Sequence, residues 1–203
     1  MAHSIAIRSG LQPAALLATV LSTPIATYQF GSGPSNSSRI KVSGALGLMV
    51  HGYDGDFDPQ NGTGRAAIVS QGSKGWGILD GPTPGAVGKN SVLVFEFRRP
   101  VILRQLTFQT RALLRQEFNL YADGRAVVRS GVIEDGMTRE QHITLNTCSG
   151  RRFALTGATS DTQFGVTSLK AEQQTKSAFR LNALGDLVNG WIPTATGSMR
   201  PRR

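Results

Sequence analysis

Short apolar runs that alternate with polar residues fill the chain between Thr27 and Glu172, and this pattern most constrains the fold. Alternation with a period of two is typical of strands that bury one face. Gly, Asp and Asn separate the runs, and helical periodicity is almost absent from this region. The pattern therefore predicts an all-β fold, an antiparallel β-sandwich or jelly roll of about nine strands.

The strongest strand in this series is Ser91–Phe97. Its continuous apolar run is typical of a strand buried on both faces. Pro100 is expected to end it, because proline cannot donate a hydrogen bond to a strand ladder. The apolar runs that follow Pro100 and later breaks in the pattern are predicted as separate strands: Val101–Leu103, Leu106–Phe108, His142–Leu145 and Arg152–Thr156.

A hairpin is predicted around Asp123-Gly124. This dipeptide lies between the runs Glu117–Ala122 and Arg125–Val128, and it is the preferred two-residue turn because both positions need positive φ. Strand alternation then predicts that Phe118, Leu120 and Ala122 face the core. Asn119 and Tyr121 are expected on the opposite side of the strand.

The two ends of the chain differ from the middle. Met1–Ala26 joins Arg8 to a short apolar stretch and to small residues before a predicted cleavage at Ala26, which is typical of a secretory signal peptide. An amphipathic N-terminal arm is the alternative. Residues 27–172 are predicted to form the sandwich, and residues 173–203 a basic tail with a partly helical, amphipathic pattern. Such a tail could lie on an anionic membrane, dock on a partner or pack back on the sandwich.

The order of several motifs carries a family resemblance. They are Gly75-Trp76-Gly77-Ile78-Leu79-Asp80-Gly81-Pro82, the strand pair Leu93–Leu103, the hairpin Phe118–Gly124 and the closing strand Phe164–Leu169. This order resembles that of exported bacterial β-sandwich proteins of the PEP-CTERM or choice-of-anchor type, over residues 26–172. The resemblance implies a secreted or cell-surface protein. The Pro-Glu-Pro sorting motif of that group is not matched, and only Met199–Arg203 is similar to its basic end.

Composition narrows the classes of function. The single cysteine, Cys148, excludes a disulfide within the chain and leaves too few ligands for a cysteine zinc site. A net charge of +9 favours anionic partners. The basic residues are dispersed, which does not favour a nucleic-acid interface. Arg98-Arg99 and Arg151-Arg152 could meet at one edge and bind anionic polysaccharide or lipid headgroups, or they could block edge-to-edge aggregation.

Alternating carboxylates suggest a metal site. Asp54, Asp56 and Asp58 lie in an Asp- and Gly-rich segment that is predicted as a loop, and three hard oxygens in a tight turn suit calcium. The EF-hand pattern is not met, because Pro59 and Arg65 occupy the positions of its glycine and glutamate. A solvated turn without metal is the alternative.

Two aromatic residues are candidate ligand contacts. Trp76, flanked by glycines, could be a stacking platform for a sugar ring or a plug on the core. Tyr121 has the same ambiguity on the face opposite the predicted core.

No catalytic constellation is evident in the sequence. A Gly-x-Ser-x-Gly motif is absent, and His142 has no recognisable partner. We therefore predict a non-enzymatic, exported cell-surface or extracellular-matrix sandwich that contacts glycans or other surface proteins through loops. A structural subunit of a virion or filament, which clasps its neighbours with both terminal arms, is the alternative. A polysaccharide-active enzyme using acids such as Glu117, Glu134 and Glu140 is the third hypothesis.

Overall fold

A computed structural model describes residues 23–33, 37–72, 74–79, 84–110, 115–134 and 140–174. Within these residues the chain forms strands and no helix, so none that could cross a membrane. The predicted signal peptide, up to residue 22, and the tail, from residue 175, lie outside the described residues. The strands are β1 (Ile25–Gln29), β2 (Arg39–Val42), β3 (Leu48–Asp58), β4 (Thr63–Ala66), β5 (Val69–Gly72), β6 (Gly75–Ile78), β7 (Ser91–Thr110), β8 (Gln116–Ala122), β9 (Arg125–Ile133), β10 (Gln141–Gly157) and β11 (Phe164–Gln173).

All strand pairs are antiparallel and follow the order β5-β6-β11-β7-β10-β8-β9, with β2, β3 and β4 attached beside β7 and with β1 on β11. The first half of β7 pairs with β3 and with the second half of β10. The second half of β7 pairs with β11 and with the first half of β10. The two long strands thus pass through both layers of a curled sheet, and the all-β sandwich predicted from the sequence is confirmed.

Pro100 does not end its strand, contrary to the sequence prediction. The ladder between β7 and β10 runs to Glu96↔Arg152 and resumes at Val101↔Gly150, so Pro100 falls in a bend where no ladder bond is needed. The predicted strands before and after it form the single strand β7. In the same way, a bulged β10 replaces the two separate strands predicted there.

The core lies between the two layers and is rich in aromatic rings. The rings of Phe108 and Phe118, from opposite layers, have centroids 5.1 Å apart. Phe97 meets Tyr28 of β1 at 6.2 Å and Phe153 at 6.0 Å. Each fully buried side chain of this size contributes about 1.5–3 kcal/mol through the hydrophobic effect. These contacts hold the layers face to face.

The β8–β9 hairpin is confirmed. Asp123 and Gly124 have φ of 46° and 81°, as the predicted turn requires. The Asp123 carboxylate also accepts hydrogen bonds from the backbone N–H groups of Arg151 and Arg152, at 3.1 and 2.9 Å. The alternation of β8 is as predicted: Phe118, Leu120 and Ala122 are buried, and Asn119 and Tyr121 lie half-buried on the other side.

Strand β1 begins just before the predicted cleavage point. Ile25 and Ala26 pair with Glu172 and Ala171 of β11. Cleavage after Ala26 would remove two of the five register pairs that join β1 to β11.

Candidate functional site

The outer face of one layer, directed away from the core, carries a small apolar floor. Val92 and Val94 of β7 and Ala154 of β10 form this floor, and their exposed fractions are only 3%, 0% and 5%. Something other than the core must therefore cover them. Register pairing places the floor between β3 on one side and β8 on the other.

Aromatic rings flank the floor on both sides. On β3, Tyr53 pairs with Val92, and its ring centroid lies 5.0 Å from that of Phe57. On β8, Tyr121 pairs with Ala154. All three rings pack against the floor and remain half-buried. The result is a trough with a small apolar base and aromatic walls.

The β3–β4 hairpin folds back over this trough. After the pair Asp54↔Ser91, β3 leaves β7 at Gly55, whose φ of 79° favours glycine. At the tip of the hairpin, Arg152 Nη2 donates to the Gly62 carbonyl oxygen at 2.7 Å. The tip also lies close to Gly124, where an added Cβ would come within 2.9 Å of Gln60 Cα. The hairpin is therefore a roof over the outer face.

Asp58 shapes the turn at the tip of this roof. Its carboxylate accepts the backbone N–H of Gln60 at 2.8 Å and hydrogen bonds from the backbone and side chain of Asn61. The hydrogen bond from the Gln60 backbone is the main cause that lowers the pKa of Asp58; desolvation, the next largest effect, opposes it, and the Asn61 bonds lower the pKa further. The ionised carboxylate thus closes the turn.

A pocket of about 230 Å³ opens between the roof and the sheet, and we call it the outer-face pocket. Asn119 Oδ1 accepts the Ser130 N–H at 3.0 Å, and no described residue accepts from its Nδ2. Thr156 Oγ1 donates to the carbonyl oxygens of Gly88 or Lys89 and keeps lone pairs free. The pocket is lined by Gly55, Phe57, Pro59, Lys89, Val92, Asn119, Tyr121, Thr156, Gly157 and Ala158.

A charged cluster lies beside the pocket on the same face. His51 Nε2 is 3.2 Å from a Glu96 carboxylate oxygen, and Arg151 Nη2 is 3.7 Å from the other. Burial lowers the pKa of His51, as do the charges of Arg39 and Arg152, whereas Glu96 raises it. The net effect favours the neutral imidazole.

The structure corrects the interpretation of Trp76 as a sugar platform. Its ring is only 5% exposed, stacks on Phe30 at 4.7 Å and donates from Nε1 to the Gly31 carbonyl oxygen at 2.9 Å. Trp76 is therefore a plug on the core, the alternative that the sequence left open.

Tyr121 lies in the wall of the outer-face pocket, in a position to contact a ligand. Sequence reasoning missed its companions Tyr53 and Phe57, because they fall in the segment that was predicted as a loop. Strand β3 in fact continues through it to Asp58. The sequence signal that could have identified them is the spacing of these two aromatic residues on either side of Gly55, the glycine at which β3 leaves β7.

The aspartates of the predicted calcium loop have separate partners. Asp54 is buried and forms an ion pair with Arg65 at 2.5 Å, whereas Asp58 closes the turn. The side chain of Asp56 lies outside the described part. Among the described side chains, no group of three or more His, Cys, Asp or Glu residues could hold a metal ion. Calcium binding at Asp54, Asp56 and Asp58 stays a prediction.

The remaining sequence candidates are not among the described residues that line the outer-face pocket. Glu117 lies 3.9 Å from Arg115, and His142 Nδ1 lies 2.9 Å from Thr107 Oγ1. Cys148 is buried within β10, and burial raises the pKa of its thiol. Glu134 and Glu140 flank residues 135–139, which are outside the described part.

No family model and no curated protein matches the chain. The solved structures with weak similarity to the chain include the following three. The catalytic unit of the thermostable GH87 alpha-1,3-glucanase from Streptomyces thermodiastaticus has a TM-score of 0.36 and 11% identity over 76% of this chain, which spans 27% of that unit. GH31 CBM32-2 bound to GalNAc has a TM-score of 0.32 and 13% identity over 65% of this chain and 100% of its own. CBM51 from Clostridium perfringens GH95 in complex with methyl-galactose has a TM-score of 0.34 and 13% identity over 72% of this chain and 99% of its own. Similarity this low says nothing about what the chain binds.

Proposed function

We propose that the chain is a non-catalytic glycan-binding β-sandwich and that the outer-face pocket holds one sugar ring. The observation that supports this most is the trough itself, in which half-buried aromatic rings flank an apolar floor beneath a roof. The parts of these half-buried rings that still face water are favourable to cover, and the apolar C–H face of a pyranose fits against an aromatic ring.

The polar groups of the pocket suit hydroxyl groups. Asn119 Nδ2 can donate, Thr156 Oγ1 can accept, and the exposed ammonium of Lys89 can donate to a ring or hydroxyl oxygen. Pockets for drug-sized ligands measure about 300–1,000 Å³. At about 230 Å³, this pocket suits a smaller ligand, such as a terminal sugar residue of a glycan chain.

The chemistry of the lining favours binding over hydrolysis. Glycoside hydrolysis commonly uses a pair of carboxyl groups on either side of the scissile bond. None of the described lining side chains carries a carboxyl group. The nearby acid Glu96 is engaged by His51 and Arg151. We therefore expect the bound glycan to be released unchanged.

A glycan array followed by calorimetry tests the proposal. The wild-type chain is expected to bind a subset of neutral sugars with dissociation constants in the range from micromolar to millimolar. Tyr121→Ala should weaken binding at least tenfold, because a wall of the pocket is lost, and Tyr121→Phe should retain most of it. Val127→Ala is the matched control, since Val127 is an exposed apolar residue on β9 outside the pocket lining. Equal affinity of Tyr121→Ala and wild type would contradict the proposal.

We further propose that the protein works outside the cytoplasm, at the cell surface or in the extracellular matrix. The pattern of Met1–Ala26 and the resemblance to exported sandwiches support this. N-terminal sequencing of protein from its native source should find a start at or near Thr27. A cytoplasmic protein that retains Met1 or Ala2 would contradict it.

A further inference from the structure

We infer that a second pocket, at the opposite end of the first half of β7, binds an oxyanion group, a sulfate or a carboxylate. This arginine pocket has a volume of about 240 Å³. It is separate from the outer-face pocket, because the six residue steps along β7 from Val92 to Arg98 span about 20 Å. Its lining is Gly44, Ala45, Leu46, Gly47, Arg98, Arg99, Val101 and Gln173.

Two consecutive arginines of β7 line this pocket. Arg98 and Arg99 are exposed and lie where the β7–β10 ladder is interrupted. Within the described part of the chain, neither of them forms an ion pair. An anion bound in the pocket would be attracted by both of these cations.

The acids closest in the sheet are already committed to other cations. Glu96 lies within 3.7 Å of Arg151 and 3.2 Å of His51. Glu172, next to the lining residue Gln173, lies 2.6 Å from Arg104. The pocket is therefore left with a surplus of positive charge, in a chain whose net charge is +9.

The wall facing the arginines is held in place before any ligand arrives. The buried Tyr28 hydroxyl accepts the Leu46 N–H at 3.1 Å, and the Leu46 side chain is itself buried. Gly47 has a φ of 63°, and a Cβ added there would lie 3.2 Å from Arg98 Cβ. The glycine thus lets the turn approach the stem of Arg98, and the pocket is preformed.

The chemistry selects a small oxyanion group. Guanidinium groups recognise such groups through paired N–H···O bonds and bind them more strongly than neutral acceptors. The group could be a free ion or a substituent of an acidic polysaccharide. An anionic membrane is a poorer fit, because the exposed large apolar side chains of the described part, Ile25, Leu79 and Val127, do not line the pocket.

Titration of the full chain with inorganic sulfate, followed by backbone amide NMR at low ionic strength, tests this inference. Sulfate is expected to shift the amides of Gly44–Gly47, Arg98 and Arg99. Arg98→Gln combined with Arg99→Gln should weaken binding at least tenfold, and the pair of Arg→Lys changes should weaken it less. The matched control is Arg125→Gln with Arg129→Gln, which removes the same charge from exposed positions on β9.

The source of the anion is distinguished with dextran sulfate and neutral dextran. Tighter binding of dextran sulfate than of sulfate, lost in the Arg98/Arg99 variant, assigns the pocket to an acidic polysaccharide, and equal affinity per sulfate group assigns it to a free anion. Three results would overturn the inference: no sulfate-dependent shifts at the pocket, equal weakening in the two charge-matched variants, or binding of anionic vesicles without binding of dextran sulfate.

Discussion

Arg152 Nη2 lies 2.7 Å from the carbonyl oxygen of Gly62 and so ties the centre of the sheet to the tip of the β3–β4 hairpin. The approach is close enough that a Cβ added to Gly62 would lie 1.7 Å from Arg152 Nη1. Since Gly62 also has a φ of 66°, any other residue there is strained as well as obstructed. The position of the roof, and with it the shape of the outer-face pocket, depends on this contact.

Arg152→Leu should release the roof. A hydrogen bond from a charged donor contributes about 1.5–3 kcal/mol, so we expect urea denaturation to show a loss of stability of about that size. Affinity for the glycan should also fall. Arg125→Leu, at an exposed position on β9, is the control. An Arg152→Leu variant with unchanged stability and affinity would show that the roof is held in another way.

Trp76 should matter for stability and not for binding. Trp76→Phe removes the hydrogen bond to Gly31 and should cost about 1 kcal/mol, whereas Trp76→Ala empties a core site and should cost about 3–5 kcal/mol. Thermal unfolding measures both effects. Glycan affinity of the folded Trp76→Phe variant should equal that of wild type, and a large loss of affinity would restore the platform interpretation.

His51 should make stability depend on pH. Its lowered pKa means that the unfolded chain binds a proton first as the pH falls. The stability that neutral His51 contributes is therefore complete above the pKa of the unfolded chain, about 6.5, and it declines as the pH falls through the folded pKa. Urea denaturation between pH 7.5 and 5 should show a shallower pH dependence for His51→Gln than for wild type. Identical slopes in the two proteins would contradict this account of the cluster.

Cys148 should be unreactive until the chain unfolds. Its thiol is buried, and burial raises its pKa, so little thiolate forms at neutral pH. A thiol reagent at pH 7.5 should modify it at least a hundredfold more slowly than it modifies the urea-unfolded chain. Fast modification of the native protein would show that β10 opens locally at this position.

The features that sequence could predict are those decided by local chemistry. The Asp123-Gly124 turn needs two positive φ values, and strand alternation then determined which residues of β8 face the core. The apolar run Ser91–Phe97 predicted a buried strand, and all its residues except Glu96 are buried.

The features that sequence missed depend on contacts between distant segments. Pro100 is tolerated inside β7 because the ladder with β10 is interrupted there, which a local rule on proline does not anticipate. The roof is held by Arg152 and Gly124, some 60–90 positions along the chain from Gly62 and Gln60. Because these distant contacts cannot be seen in the local sequence, the aspartates and glycines around Tyr53 and Phe57 suggested a loop.

Mapping the bound sugar by amide NMR tests the central claim most directly. With a sugar selected on the array, we predict the largest shifts at Gly55, Lys89, Asn119, Gly157 and Ala158, and their loss in Tyr121→Ala. Shifts confined to other surfaces, or unaltered in Tyr121→Ala, would contradict the assignment of the outer-face pocket as the glycan site.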